Sequence, residues 1–175
     1  MTESEHAEPG DVTYRGVVYP WHCDHMGHMN VMWYVGKFDE ATWAFFARNG
    51  LTPAYLRANG RGMAAVDQHV RYVQELVAGD VVHVTTRLLE AAPRKIRFEH
   101  QMFNDITGDI VASCELVGVH MDTEMRKAVP FESSIANKLV VFPSPLQGGQ
   151  ANGVSEGGSR ACEPGVAETG DKRTE

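Results

Sequence analysis

One long run of apolar residues at helical spacing begins about thirty residues into the chain. Asn30, a good N-cap residue, precedes the run, and Gly50 follows it, as expected at the two ends of a helix. The apolar stripe consists of Val31, Tyr34, Val35, Phe38, Ala41, Thr42, Phe45 and Phe46. Because the opposite face also carries large apolar residues, we predict a helix that other elements enclose.

Segments typical of β-strands surround this helix. One precedes it, and four others follow a short second helix at 53–57. The predicted strands are 12–19, 63–73, 80–90, 95–103 and 110–121, with a hairpin turn at 104–108. In the fourth strand, one side consists of Ile96, Phe98, His100 and Met102. This order predicts an α+β fold, in which an antiparallel sheet curls around one helix.

Length and composition predict one domain with two unstructured ends. The 175 residues are 43% hydrophobic and 22% charged, which is ordinary for a globular protein. We predict a flexible leader at 1–11 and a folded domain at 12–142. From 143 to 175 the chain is rich in Gly, Ser and Pro with few large apolar residues, so disorder is expected there.

Charge and cysteine usage exclude some classes of partner. The net charge of −7 disfavours binding to nucleic acid, and no apolar run approaches the roughly 20 residues that cross a membrane. The acidic N-terminal residues lack a signal-peptide pattern. The three cysteines are far apart and suggest no disulfide framework, so we expect a reducing cytoplasm.

Candidate chemistry is concentrated in the connection from the first strand to the long helix, Trp21-His-Cys-Asp-His-Met-Gly-His-Met-Asn30. Asp24 is ionised at neutral pH, so it can attack a carbonyl carbon or activate a water molecule. Gly27 lets a substrate approach the backbone, and the N–H groups of Gly27 and His28 are candidates to polarise the carbonyl oxygen. The dipole of the following helix favours negative charge at the same place.

Other interpretations of these residues stay open. Asp24 can instead cap its own turn, as aspartate often does. The neighbouring His22, Cys23, His25 and His28 fit no closed zinc set, so no metal site is predicted, and one histidine is expected to orient Asp24 or a substrate.

Three further groups of residues have two interpretations each. Asp67, His69 and Arg71 share one strand face, which is either a polar pocket wall or a solvated surface. The basic residues at 94–97 and 126–127 can meet phosphates or simply face solvent. The three tryptophans are expected in the core or an interface, with an aromatic cage for a quaternary ammonium group as the alternative.

Between about Tyr14 and Val141 the chain resembles the hotdog-fold acyl-CoA thioesterases of the 4-hydroxybenzoyl-CoA thioesterase-like group. The resemblance rests on Asp24-His-Met-Gly-His-Met-Asn30, on Tyr72 with Glu75 and Gly79-Asp80, and on His120-Met-Asp122, Arg126 and Pro130-Phe131. The pattern from 67 to 122 is similar to thioesterases for betaine- or carnitine-type CoA esters.

This resemblance implies a long central helix wrapped by a curved antiparallel sheet, and hydrolysis of an acyl-CoA with Asp24 as nucleophile or general base. It also implies no cofactor, and a homodimer or homotetramer with active sites at the subunit interface. Edge-to-edge pairing would protect the open strands of such a sheet. We expect His25, Asn30, Asp67 and His69 to contact the substrate. A hydratase or dehydratase, or a non-catalytic acyl-CoA-binding module, remains the alternative on this fold.

Overall fold

The computed structural model of the protein describes residues 10–141. Its elements, in chain order, are β1 (Asp11–Val17), α1 (Val31–Arg48), α2 (Pro53–Ala58), β2 (Arg61–Tyr72), β3 (Val81–Ala92), β4 (Lys95–Asn104), β5 (Ile110–Asp122), β6 (Lys127–Ala128) and α3 (Ser133–Ala136). The predicted tail at 143–175 and nearly all of the predicted leader lie outside the described residues. No helix among the residues described is long and apolar enough to span a membrane.

The strands form one antiparallel sheet in the order β1-β3-β4-β5-β2, with β6 beside β5. The predicted α+β fold, a helix against a curled antiparallel sheet, is confirmed. The predicted strand bounds agree with the structure to within two residues. The sequence pattern predicts neither β6 nor α3, which are only two and four residues long.

The helix α1 begins and ends as its sequence predicts. The Asn30 side chain accepts a hydrogen bond from Met32 N at 3.0 Å, and Gly50 follows the helix with a φ of +89°. Most of the apolar stripe packs on the sheet, although its members Val31 and Val35 stay exposed. The Phe45 ring centroid lies 5.3 Å from that of Phe98 on β4. Removing such a buried ring typically costs about 3–5 kcal/mol of stability.

The prediction that α1 is enclosed on all sides is wrong for the single chain. The sheet covers only one face, so Val31, Met32, Val35 and Trp43 remain exposed on the other. Between this exposed face and β2 runs a groove of about 350 Å³, which we call the α1–β2 groove and whose β2 wall includes Met63, Ala64, Ala65 and Gln68. The chain therefore leaves apolar surface uncovered beside an edge strand.

A chain of hydrogen bonds crosses the core at His100, which is fully buried with the other inward residues of β4. Thr42 Oγ1 donates to Phe38 O at 2.9 Å, so it accepts from His100 Nε2–H at 2.8 Å. His100 Nδ1 is then the acceptor for the Thr86 hydroxyl at 2.7 Å, and Thr86 accepts from Thr13 at 2.7 Å. This polar chain joins α1, β4, β3 and β1, and at its end the Thr13 hydroxyl also lies 3.3 Å from Val84 O.

Candidate active site

The connection between β1 and α1 folds into a tight hairpin loop. Cys23 and Met29 form an isolated antiparallel bridge, and Asp24 N donates to His28 O at 3.0 Å. At the turn, Gly27 N donates to Asp24 O at 3.0 Å, and Gly27 has a φ of +84°. An added Cβ there would meet nothing within 4 Å, so glycine is favoured by the left-handed backbone rather than by lack of space.

The Asp24 carboxylate accepts one hydrogen bond on each oxygen. Met26 N donates to Oδ1 at 2.9 Å, which is the contact expected if Asp24 caps its own turn. Asn30 Nδ2 donates to Oδ2 at 3.2 Å. The side chain stays partly exposed and lines a cavity, so capping the turn does not exclude a chemical role.

These contacts keep Asp24 ionised. The hydrogen bond from Met26 N is the largest cause that lowers the pKa of Asp24 below its ordinary value. Burial is the second-largest cause and raises the pKa, while the Asn30 amide and the charges of His25 and His28 lower it by smaller amounts. At neutral pH the site therefore presents a carboxylate rather than a carboxylic acid.

Asn30 links this carboxylate to the start of α1. Its Oδ1 accepts from Met32 N as the helix cap, which leaves Nδ2 to donate to Asp24. One amide thus serves both the helix and the carboxylate, and this double role fixes the orientation of its oxygen and nitrogen.

We expect the variant Asn30→Ser to raise the pKa of Asp24, because serine keeps an oxygen for the helix cap but lacks the amide donor. The measurement is the pH titration of the Asp24 carboxyl carbon by NMR, with thermal denaturation to check the fold. Asn30→Ala removes the cap as well and should lose about 1 kcal/mol more stability. An unchanged titration in the serine variant would show that the amide does not hold the carboxylate.

The predicted oxyanion donors need a correction. The Gly27 N–H is occupied by Asp24 O, so it is not free to polarise a substrate. Within residues 10–141, the backbone N–H groups of His28 and Val31 donate to no acceptor. Val31 is the first residue of α1, where an unpaired N–H and the helix dipole coincide. His28 and Val31, which both line the cavity beside Asp24, therefore replace Gly27 as candidate donors.

A cavity of about 480 Å³ opens beside Asp24, and we call it the Asp24 cavity. Its lining is Asp24, Met26, His28, Met29, Asn30, Val31, Tyr34, Tyr72, Val73, Gln74 and Glu75. The rings of Tyr34 and Tyr72 meet edge to face at 5.2 Å, and Tyr34 OH donates to Gln74 O at 3.3 Å. Burial raises the pKa of Tyr34 to about 12, so it stays a neutral phenol.

Two carboxylates face this cavity. Besides Asp24, Glu75 lines it and pairs with His28 Nε2 at 3.1 Å. Both members of that pair are substantially exposed, so the pair stabilises the fold little. Glu75 matters more for the charge of the cavity, whose lining combines two acidic groups with two tyrosines.

The structure brings together only some of the predicted site residues. Asp24, His28 and Asn30 line the Asp24 cavity, whereas His25 is exposed and acts on Asp24 only through its charge. Asp67 and His69 lie on the exposed edge strand β2 and do not line the cavity of the same chain.

The cavity also contains Tyr34, Tyr72, Gln74 and Glu75, for which the sequence alone predicts no place in the site. Tyr72 and Glu75 belong to the motif that carries the family resemblance, and this was the available signal. Their closeness to Asp24 depends on Met29 N, which donates to Leu76 O at 2.7 Å and ties the two segments together.

His22 and Arg97, two further residues of the predicted motifs, have structural partners. In the region the structure covers, no three His, Cys, Asp or Glu side chains are arranged to hold a metal ion. His22 packs on the Trp33 ring at 4.4 Å. Arg97 donates to Glu115 at 2.8 Å, which favours the interpretation of that basic residue as a surface charge.

Comparison with known proteins assigns the family. The model of the Thioesterase-like superfamily matches residues 18–139, which is most of the chain. The chain belongs to this superfamily. The resemblance to the hotdog-fold thioesterases is thereby confirmed.

Individual relatives agree with this membership. An L-carnitine dehydrogenase/betainyl-CoA thioesterase of Agrobacterium fabrum is 32% identical over 116 residues, or 66% of this chain and 24% of that protein. The chain spans about a quarter of the length of such bifunctional relatives. A betainyl-CoA thioesterase of Pseudomonas aeruginosa is 27% identical over 73% of this chain and 80% of its own length.

A solved structure shows the same fold. A hypothetical protein from Staphylococcus aureus, solved in complex with CoA, superposes with a TM-score of 0.70 at 18% identity. The superposition covers 84% of this chain and 99% of that chain. At this identity the comparison supports the fold alone.

Proposed function

We propose that this member of the thioesterase-like superfamily hydrolyses a small acyl-CoA thioester to the free acid and CoA. The observation that carries the proposal is an ionised carboxylate, Asp24, held at a cavity beside the unpaired N–H groups at the start of α1. The names of the relatives, which are thioesterases for CoA esters, support the same reaction class.

The reaction has two routes from this geometry. In one, an Asp24 oxygen attacks the thioester carbon, the C–S bond breaks, and CoA leaves as a thiolate that takes up a proton. Water then hydrolyses the resulting mixed anhydride. In the other, Asp24 takes a proton from water, and the hydroxide displaces the thiolate. In both routes the N–H groups of His28 and Val31 would stabilise the negative charge on the carbonyl oxygen.

The chemistry of the Asp24 cavity favours a cationic acyl group. Asp24 and Glu75 provide negative charge, and the half-exposed ring of Tyr72, packed against buried Tyr34, offers the aromatic surface that attracts quaternary ammonium groups. Two of the relatives are named for betainyl-CoA, whose acyl group carries such a charge. We therefore propose a small quaternary ammonium acyl group as the substrate class.

The matched substrates betainyl-CoA and 3,3-dimethylbutanoyl-CoA test this proposal, because they differ mainly in a charged nitrogen replacing a carbon. We expect kcat/KM, measured by thiol release, to favour betainyl-CoA by about tenfold, the scale of a cation–π contact together with a partly exposed carboxylate. Glu75→Gln should reduce the ratio, whereas Glu124→Gln, on an exposed turn, should not.

The outcomes of this test separate the activity from the acyl group. Equal rates for the two esters would reject the cationic acyl group but keep the thioesterase. No thiol release from either ester or from aromatic and short aliphatic esters would reject hydrolysis. A hydratase would change the acyl chain and leave the thioester intact.

We further propose that two or four copies of the chain assemble through β2. This edge strand is twelve residues long, its outer edge is unpaired among the described residues, and it lies beside the apolar α1–β2 groove. A partner's β2 would cover the groove and place a second Asp67 and His69 near the Asp24 cavity. The catalytic site would then be complete only in the assembly.

We expect light scattering after size exclusion to give a dimer or tetramer at micromolar concentration. Val66→Lys, which places a charge on the exposed part of β2, should shift the protein towards monomer and lower its activity together. Ile106→Lys is the matched control, because Ile106 is equally exposed but lies in the turn after β4. A fully active monomer would contradict an interfacial site.

A further inference from the structure

A second cavity, of about 340 Å³, lies between β1, the residues that follow it and α1. We call it the aromatic cavity, and its main walls are Tyr14, Tyr19, Trp21, His22, Trp33 and Lys37. It shares no lining residue with the Asp24 cavity. The proposed thioesterase reaction assigns it no role.

Lys37 gives this cavity a buried cationic group. The residue is only 3% exposed, and its Nζ donates to Tyr14 OH at 2.9 Å. Within residues 10–141, no carboxylate lies within 4.0 Å of Nζ, and its other two donors have no acceptor. Burying a cation without a counter-ion is costly unless a ligand supplies the missing negative charge.

The contact between Tyr14 and Lys37 requires a glycine. The Tyr14 hydroxyl folds back over Gly16, where an added Cβ would lie 2.2 Å from the hydroxyl oxygen. Any other residue at 16 would displace the phenol from Lys37. The local sequence is therefore arranged to hold the phenol, and with it the amino group, at the wall of this cavity.

His22 adds a second buried donor. It is 7% exposed, and its Nδ1 accepts from Tyr19 N at 3.0 Å, so the neutral ring carries its proton on Nε2. Desolvation, followed by the nearby charge of Lys37, lowers the pKa of His22 and keeps the ring neutral. The cavity thus offers a cation and an uncharged N–H donor.

The remaining walls are aromatic and partly open. The rings of Tyr19 and Trp21 are stacked at 4.4 Å and nearly parallel, at 6°. Trp21 is nevertheless 66% exposed, which is unusual for so large an apolar surface. A flat aromatic ligand would cover the ring faces that the protein itself leaves open.

We propose that the aromatic cavity binds an aromatic carboxylate, with the carboxylate on the Lys37 amino group and the ring against the Tyr19–Trp21 stack. The cavity volume lies within the usual range for small-molecule sites. Exposed Glu40 at the edge of the cavity would repel a second negative charge, so the ligand carries only one. The site is independent of the proposed thioesterase activity.

Isothermal titration of the full chain with benzoate, benzamide and acetate tests the proposal. We expect saturable binding of benzoate with one site per chain, and at least about tenfold weaker binding of benzamide, which lacks the charge, and of acetate, which lacks the ring. Lys37→Met should weaken benzoate binding by about tenfold or more, since methionine keeps most of the unbranched side chain without its charged amino group.

Further variants keep the test decisive. Trp21→Ala alters an exposed side chain and should weaken benzoate binding without unfolding the protein, whereas Lys127→Met, on exposed β6, should not weaken it. Asp24→Asn should also leave benzoate affinity unchanged, which separates this site from product binding in the Asp24 cavity. Equal affinity for benzoate and benzamide, or unchanged binding in both folded Lys37→Met and Trp21→Ala, would overturn the proposal.

Discussion

Replacing Asp24 with asparagine is expected to lower kcat for acyl-CoA hydrolysis by at least about a hundredfold, the usual scale for a positioned acid–base group. Asparagine keeps the size of the side chain and an oxygen that can accept from Met26 N. It has no negative charge for attack on the thioester or for activation of water. The loss would therefore come from chemistry rather than from collapse of the loop.

Three comparisons make this result specific. Asp24→Glu retains the charge but moves it by one methylene, so partial activity would show that position matters. Asp109→Asn removes an exposed carboxylate after the β4–β5 turn and should retain full activity. Thermal denaturation of each variant checks the fold. If Asp24→Asn retained full turnover, Asp24 would have no place in the mechanism.

Acidification is expected to destabilise the folded chain through His100. Burial lowers the pKa of His100 to about 3, against an ordinary value of 6.5. As the pH falls below 6.5, the unfolded chain binds a proton that the folded chain takes up only near pH 3. Stability then falls by up to about 1.4 kcal/mol for each pH unit between these values.

The variant His100→Gln isolates this contribution, because glutamine is polar but does not titrate. Its stability at pH 7 should be lower, since it cannot reproduce both hydrogen bonds to Thr42 and Thr86. Its urea unfolding free energy should nevertheless depend less on pH between 4 and 6 than that of the original chain. Parallel curves for His100→Gln and the original protein would contradict the assignment.

Local sequence signals were sufficient for most of the fold. Asn30 and Gly50 mark the two ends of α1, because helix caps depend on only a few neighbouring backbone groups. Strict alternation of apolar and polar residues identifies the buried side of β4. The sequence also predicts the strand β2, but it does not decide whether Asp67 and His69 form a pocket wall or a solvated surface. Both residues are exposed on this edge strand in the single chain. Its alternation carries no information about which side meets a ligand.

The details of the site depended on contacts that the sequence does not encode locally. The sequence makes Gly27 a reasonable oxyanion donor, but its N–H closes the turn by donating to Asp24 O. Tyr72 and Glu75 reach the cavity only because the segment before β3 returns to the loop that carries Asp24. Two segments more than forty residues apart form this wall, and no periodic pattern relates them.

The polar chain through Thr13, Thr86, His100 and Thr42 also constrains how this core can evolve. Each ring nitrogen of His100 has one hydroxyl partner, so replacing Thr42 or Thr86 with an apolar residue leaves a buried ring nitrogen without a partner. An all-apolar replacement is acceptable only if the neighbours change in the same step. Relatives should therefore inherit these four positions as a set, either wholly hydrogen-bonded or wholly hydrocarbon.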